Sequence, residues 1–265
     1  MYSQEKLESL KNLIVSKKRL LVSFSGGVDS ALLLKVSYDL IKDGVIAVII
    51  NGDTLPEFEL DHAIKFIHEH GMRCVIVELK QLENPDFVKN AKDRCYYCKK
   101  DQITTLREIA RKEGIETIAD GLNVSDFNEY RPGILASDEE GVWHPFVEAG
   151  VEKGEIREMA REAGISFWNK PSESCLATRI PYGERITETR LRMIEEAESV
   201  LKEIGFSGGR VRLHQRIGRI EVPCDDIERI IEDRREIILR LKEVGLKYIT
   251  LDLEGYRSGS MDEVL

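Results

Sequence analysis

No stretch of about 18 or more apolar residues occurs in this 265-residue chain, which excludes a membrane-spanning helix. The opening, Met1-Tyr2-Ser3-Gln4-Glu5-Lys6-Leu7, lacks the apolar core of a secretion signal, so the expected compartment is the cytoplasm. Basic charge is also short. The 39 Lys and Arg against 48 Asp and Glu leave a net charge of -9, which argues against holding nucleic acid by bulk electrostatics. Internal repeats and low-complexity segments are absent. Cysteine is scarce: five in a chain of this size read as thiols or metal ligands and not as a disulfide framework. With 42% hydrophobic and 33% charged residues, the chain can bury one large core, or a large and a small one, and two domains are expected.

The most informative stretch is Ser25-Gly26-Gly27-Val28-Asp29-Ser30, set between the apolar run Leu20-Leu21-Val22 and the helical pattern Ala31-Leu32-Leu33-Leu34. Two glycines let the backbone turn tightly, and the following helix adds its positive N-terminal dipole, so an anion is favoured there. Ser25 and Ser30 add hydroxyls. A carboxylate beside a phosphate is repulsive unless it caps amide donors or meets a cation such as Mg²⁺, so Asp29 is expected to do one or the other. The loop lacks the Lys-Ser/Thr pair of a Walker loop and the spacing of a dinucleotide G-x-G-x-x-G. Its spelling, S-G-G-x-D-S, resembles the pyrophosphate loop (PP-loop) of the N-type ATP pyrophosphatases, which implies ATP with Mg²⁺, adenylation of an oxygen and release of pyrophosphate.

Apolar runs at Leu20 to Phe24, Val45 to Ile50, Met72 to Leu79 and Ile115 to Asp120 read as strands separated by helical patterns. That alternation predicts an α/β fold, a parallel sheet with helices on both faces. Ligands of such sheets sit beyond the carboxyl ends of the strands. There the Ser25 to Ser30 loop, Asn51-Gly52-Asp53 and Gly121-Leu122-Asn123 are expected to converge, with Asn51 and Gly121 joining the loop at ATP. Regular alternation lapses from about Asn123 to Gly154, and a helix follows around Glu155 to Ala163. From Glu184 onward a smaller α+β unit is expected: a helix over Thr187 to Ile204, strands over Gly209 to His214 and Ile217 to Val222, a helix over Asp225 to Val244 and a strand over Tyr248 to Leu253. Gly255 to Ser260 reads as a tail or a loosely docked segment.

Arg94-Cys95-Tyr96-Tyr97-Cys98-Lys99 is a C-x-x-C, read as a loop entering a helix. Cys175 follows far downstream in a Ser- and Pro-rich segment beside Arg179, a cation that would lower a thiol pKa. Four readings fit the trio: a redox-active Cys95–Cys98 disulfide, structural zinc completed by His144 or Cys224, three unrelated thiols, or an iron–sulfur cluster with three protein ligands and one open iron. Cys74, in a strand-like run, and Cys224 read as structural. Arg179, Arg210 and Arg212 are candidates for substrate phosphate and carboxylates, since Arg forks bind such groups bidentately. Alternation on a strand puts Arg210 and Arg212 on one face.

The Ser25 to Ser30 loop, the C-x-x-C, Glu173 to Gly183 and Arg210-Val211-Arg212-Leu213-His214 together resemble the LarE family of ATP-dependent sulfur transferases over nearly the whole chain. The resemblance implies adenylation of a carboxylate of pyridinium-3,5-biscarboxylic acid mononucleotide and its conversion to a thiocarboxylate, a step toward the nickel-pincer nucleotide. It implies a pyrophosphatase domain over 1–170 and a smaller domain for sulfur transfer, substrate and oligomerisation over 171–265. Two sulfur sources occur in the family. In one, a cysteine at the position of Cys175 gives up its own sulfur and ends as dehydroalanine. In the other, two more cysteines join it to hold a [4Fe-4S] cluster carrying a transferable sulfide, and Cys95 with Cys98 puts this chain in that second group. The implied partners are a small nucleotide substrate, a sulfide donor and further copies of the chain, with Glu198 helping near the arginines. Three rivals remain: a PP-loop tRNA thiolase, which the acidic composition disfavours; an amidotransferring synthetase, which gives the three cysteines no purpose; and a non-catalytic ATP- and cluster-binding carrier.

Overall fold

The computed structural model describes residues 4–128, 131–171, 174–257, 259–261 and 263. They group into two compact units, Met1–Lys80 with Cys95–Glu173, and Gln81–Arg94 with Ser174–Leu265. In this grouping Gln81–Arg94 goes with the second unit.

In chain order the first unit begins α1 (Gln4–Lys17), β1 (Leu20–Ser23), α2 (Val28–Ile41), β2 (Val45–Gly52), α3 (Glu57–His70) and β3 (Cys74–Leu79). After α4 (Pro85–Val88), which falls in the second unit, come α5 (Arg94–Glu113), β4 (Ile118–Ala119), α6 (Pro132–Glu139), α7 (Pro145–Glu148) and α8 (Lys153–Glu162). The four strands form a parallel sheet in the order β3-β2-β1-β4. Alternate residues of β1 serve opposite faces: Leu20 and Val22 pack with Leu33, Phe66 and Ile156, from α2, α3 and α8, whereas Leu21 packs with Ile103 and Leu106 of α5. Both faces are therefore covered, which is why β1 and β2 read as continuous apolar runs and not as alternating ones.

Strand β4 is shorter than the run Ile115 to Asp120 suggests. Gly114, at φ +63°, stops α5, and the N–H of Ile115 is taken by the carbonyl of Ala110 at 2.8 Å. Only Ile118 and Ala119 pair in register with β1, and Ala119 also forms an isolated bridge to Trp143.

The second unit contains α9 (Glu188–Ile204), β5 (Arg210–His214), β6 (Ile217–Glu221), α10 (Ile227–Glu232), α11 (Arg234–Glu243) and β7 (Tyr248–Leu251). Strands β5 and β6 are antiparallel, and β7 lies parallel to β6. Thr187 caps α9 by accepting from the N–H of Arg190, and Leu191, Ile194, Ala197 and Leu201 form its buried face. One helix over Asp225 to Val244 is not what forms. Asp233, with ψ near +4°, leaves the helical range and separates α10 from α11.

Residues 81–94 are tied in by Asn90, fully buried in the left-handed region at φ +57°. Its amide donates to the carbonyls of Pro181 and Glu184 at 2.8 and 2.9 Å and more weakly to that of Ile180, and its Oδ1 accepts from Arg94 at 2.6 Å. Such a knot of buried bonds is costly to break, because each orphaned group would lose about 1–3 kcal/mol.

Candidate active site

The glycine loop leaves β1 at the carboxyl end of the sheet. The strand order 3-2-1-4 reverses between β1 and β4, so the loop stands at the switch point where such sheets bind ligands. Gly26 adopts φ +76°, and a Cβ there would lie 3.2 Å from that of Ala63 on α3. Gly27 precedes α2 with no side-chain cap, so the first-turn N–H groups of that helix have no partner within it. The hydroxyl of Ser30 closes the loop, donating to the carbonyl of Gly27 at 3.1 Å and accepting from the N–H of Ser25 at 3.3 Å. The two serine hydroxyls are 3.1 Å apart. Ser30 is buried, whereas Ser25 is exposed.

Gly121 follows β4 and lies against the start of α2. A Cβ on it would stand 2.8 Å from the backbone nitrogen of Ser30 and 3.0 Å from the carbonyl carbon of Asp29. The close approach of β4 to the loop thus needs glycine. Asn123, two residues on, reaches Asp29 with its amide at 3.4 Å and is itself held by Asp126 at 2.8 Å, which Arg131 pairs at 2.7 Å. Of the three expected segments, the one at 121–123 is therefore brought onto the loop. Asn51 lies at the carboxyl end of the adjacent β2, half-buried, paired in register with Glu78.

Asp29 meets a cation. The ammonium of Lys153 lies 2.5 and 2.6 Å from its two carboxylate oxygens. Burial raises the pKa of Asp29 above the ordinary carboxylate value, and Lys153 partly offsets that rise. Lys153 went unnoticed in the sequence. It is the first residue of α8, where a positive charge opposes the helix dipole by about 0.3–1 kcal/mol. Its position is therefore explained by Asp29 and not by its own helix, and the capping pattern Glu152-Lys153-Gly154-Glu155 masks it as an ordinary helix start.

Cys95 and Cys98 are not on a loop. Helix α5 begins at Arg94, so both lie within its first five residues, three apart and on one side of the helix. Both are half-buried, and the amide of Gln102 approaches Cys98 Sγ at 3.5 Å. The next residue, Lys99, ties this turn to the end of β4 by pairing with Asp120 at 3.0 Å. Asp120 also accepts from His144 Nδ1 at 2.7 Å. Burial works against its charge, but Lys99 and His144 prevail and hold the carboxyl well below its usual range.

In the second unit Cys175 caps a short 3-10 turn, Leu176–Arg179. Its carbonyl accepts from the hydroxyl of Thr178 at 2.8 Å and from Arg179 at 3.2 Å. Arg179, expected at substrate anions, has 0% exposure. Its guanidinium is bonded to both carboxylate oxygens of Glu198, at 2.9 and 3.1 Å, and to the carbonyl of Ser174 at 2.7 Å. It thus pins the Cys175 turn from beneath, and Glu198 continues the chain by accepting from the N–H of Val211 on β5. Arg210 and Arg212 do share a face of β5, at 5% and 4% exposure. Arg212 forks onto Glu221, itself fully buried, with contacts of 2.9 and 2.8 Å. Among the described residues no group of three or more His, Cys, Asp or Glu side chains is arranged to hold a metal ion, and no helix is long and apolar enough to cross a membrane.

A family profile described as NAD synthase matches residues 4–105, the stretch that contains the glycine loop. An uncharacterised protein of Synechocystis is 37% identical over 99% of this chain and 98% of its own length. The pyridinium-3,5-bisthiocarboxylic acid mononucleotide synthase of Lactiplantibacillus plantarum is 35% identical over 94% of this chain and 90% of its own. An uncharacterised protein of Methanocaldococcus jannaschii is 32% identical over 96% and 98%. A parallel sheet with the glycine loop at its switch point and end-to-end likeness to the L. plantarum synthase agree, and the chain belongs to the PP-loop family of the pyridinium-3,5-bisthiocarboxylic acid mononucleotide synthase.

Proposed function

We propose that this protein is an ATP-dependent sulfur transferase that adenylates a carboxylate of pyridinium-3,5-biscarboxylic acid mononucleotide and converts it to the thiocarboxylate. The observation that carries the reading is the Ser25 to Ser30 loop, with Lys153 on Asp29 and Gly121 against Ser30. A carboxylate is a poor electrophile. Its oxygen attacks the α-phosphorus of ATP, the bond to the β-phosphate oxygen breaks, and pyrophosphate leaves against the N–H groups of α2. The carboxylate of Asp29 already takes an ammonium at 2.5 Å, so a cation fits there, and Asp29 would hold Mg²⁺. When bound, Mg²⁺ supplies charge neutralisation at the phosphates. Lys153, held at the same spot, is the side chain of this chain that moves onto the phosphate oxygens. In the second half a sulfur nucleophile attacks the acyl carbon and AMP leaves.

Cys175, Cys95 and Cys98 would be the three protein ligands of a [4Fe-4S] cluster with one open iron. This finer reading is supported by residue type and family likeness; the pair on α5 has the spacing of two ligands of one cluster. When bound, the cluster supplies a sulfide that is nucleophilic without an added base. A second reading also has an observation behind it. The Cys175 carbonyl is held within its own turn, by Thr178 and Arg179, a setting in which sacrificial transfer of its sulfur would not call on α5.

The test is to supply purified protein with ATP and the biscarboxylic nucleotide, following pyrophosphate and thiocarboxylate, with iron and acid-labile sulfide measured on anaerobically prepared protein. Repeated turnover with about four iron atoms per chain supports the cluster. One thiocarboxylate per chain, with Cys175 losing the mass of hydrogen sulfide, establishes the sacrificial route. Pyrophosphate release with bulk tRNA and none with the nucleotide overturns the proposal in favour of a tRNA thiolase. Tight ATP binding without pyrophosphate from any acceptor leaves only a carrier.

A further inference from the structure

The cation already on Asp29 decides what else can bind there. Lys153 covers both carboxylate oxygens, at 2.5 and 2.6 Å, and the amide of Asn123 approaches Oδ2 at 3.4 Å. Mg²⁺ needs oxygen ligands at about 2.0–2.1 Å in near-octahedral geometry, so it cannot take either oxygen while the ammonium stays. The next carboxylate offers no alternative. Asp126 is paired with Arg131 at 2.7 Å and accepts from the N–H and the amide of Asn123 at 2.9 and 2.8 Å.

The main chain of Lys153 is fixed. Its N–H donates to the hydroxyl of Ser125 at 3.1 Å, and the capping box of Glu152 and Glu155 closes the start of α8. The ammonium, by contrast, is part-exposed on a flexible stem, so moving it takes side-chain rotation alone. Asp29 lies in the first turn of α2, which puts the ammonium beside the N–H groups that an incoming phosphate meets.

We infer that Lys153 is a gate on the metal: it shuts Mg²⁺ out of Asp29 until ATP arrives, and the triphosphate opens the site by drawing the ammonium onto its own oxygens. The bond of an ammonium to phosphate is charge-assisted, as is its bond to Asp29, so the exchange gives up little. Once the ammonium has left, the largely enclosed carboxylate is an uncompensated charge, and Mg²⁺ restores the balance. The phosphates complete its ligands, in keeping with the preference of this ion for one or two carboxylates and substrate phosphates over an all-protein cage. Metal therefore enters with the nucleotide or after it, and not alone. The gate rests on the reading of Asp29 as the holder of Mg²⁺ and adds the condition for entry.

The test uses the full chain with Mn²⁺ as the probe, in wild type, Lys153→Met, Asp29→Asn and the double variant. Without nucleotide, free Mn²⁺ is counted by its electron paramagnetic resonance signal. Lys153→Met is expected to bind Mn²⁺ about tenfold more tightly than wild type, or better, and adding Asp29→Asn should abolish the gain. Lys153→Gln serves if Lys153→Met does not fold. With α,β-methylene-ATP, which cannot release pyrophosphate, wild type should enhance water-proton relaxation beyond the Mn²⁺–analogue complex alone, and Asp29→Asn should not. Equal Mn²⁺ affinity in wild type and Lys153→Met overturns the gate, and Asp29-dependent enhancement then keeps the metal at Asp29. A gain in Lys153→Met without enhancement in wild type overturns the opening by ATP. If Asp29→Asn changes nothing in any of these measurements, the reading of Asp29 as the metal holder falls as well, while pyrophosphate release, followed separately, judges adenylation.

Discussion

Replacing Lys153 by Met removes the ammonium from Asp29 while keeping most of the side-chain volume. The pair is largely enclosed, with side-chain exposures of 28% and 21%. Breaking a fully buried pair costs about 3–5 kcal/mol, and for this partly wet one a loss of about 2 kcal/mol is expected. The loss depends on pH. Burial already holds the pKa of Asp29 above its ordinary value, and without Lys153 it rises further. A carboxyl with a raised folded-state pKa contributes stability below its unfolded value of 3.8, and that contribution is lost as pH rises through the folded value. Lys153→Met should therefore lie close to wild type in strongly acidic solution and fall behind as pH rises past the carboxylate range. Urea unfolding across that range measures it, and Asp29→Asn in the same chain should recover most of the difference at neutral pH. The kinetic effect is separate. Loss of one charge aimed at a leaving phosphate costs about 10²–10³ in kcat, read as pyrophosphate release under saturating ATP. A variant with wild-type stability at neutral pH and pyrophosphate release within about threefold of wild type would refute both the ion pair and the role given to Lys153.

Gly121→Ala drives a methyl group into the backbone of Asp29 and Ser30, so a stability loss of about 1–3 kcal/mol and weaker ATP binding are expected, measurable by urea unfolding and calorimetry. Arg179→Ala leaves the part-buried Glu198 without its guanidinium, with the N–H of Val211 still bonded to it, and should cost about 2–4 kcal/mol. Arg179→Lys, which cannot fork, should fold better but alter the alkylation rate of Cys175, as read with iodoacetamide; an unchanged rate would remove Arg179 from the positioning of that turn. Cys175→Ala, Cys95→Ala and Cys98→Ala should each keep pyrophosphate release and lose thiocarboxylate formation. Transfer surviving in Cys95→Ala and lost in Cys175→Ala would establish the sacrificial route.

The alternation of strands and helices was legible because local signals agree with the burial each strand receives. Leu20, Leu21 and Val22 are apolar without alternation because both faces of β1 are covered. The α9 boundaries were legible for the same kind of reason: Thr187 is a cap by residue type, and Gly205 at φ +110° is a stop. Where a distant partner decides, local reading fails. Nothing in the residues near Asn90 foretells bonds to carbonyls about ninety positions later, yet those bonds join 81–94 to residues of the second unit. The apolar pattern of α10 continues into α11, but the backbone turns at Asp233.

The candidate site divides in the same way. Ser25 to Ser30 declared itself, because a glycine turn ahead of a helix creates its anion preference from backbone alone. Gly121 was named from its place after a strand, and only the packing of β4 on α2 supplied its reason, a backbone nitrogen 2.8 Å from where a Cβ would sit. Arg179 shows the limit of residue type. Arginine suits a substrate anion and a buried carboxylate equally, and sequence cannot say which lies within reach; here it is Glu198. The sequence by itself determined the α/β class, the loop and the family, since these depend on local backbone preference and on likeness along the chain. Tertiary structure alone decided that Lys153 faces Asp29, that Arg179 bonds the turn of Cys175 and that Arg212 pairs with Glu221. Those pairings join residues far apart in the chain, and an electrostatic or hydrogen-bonded contact exists only where folding brings its two halves within about 3 Å.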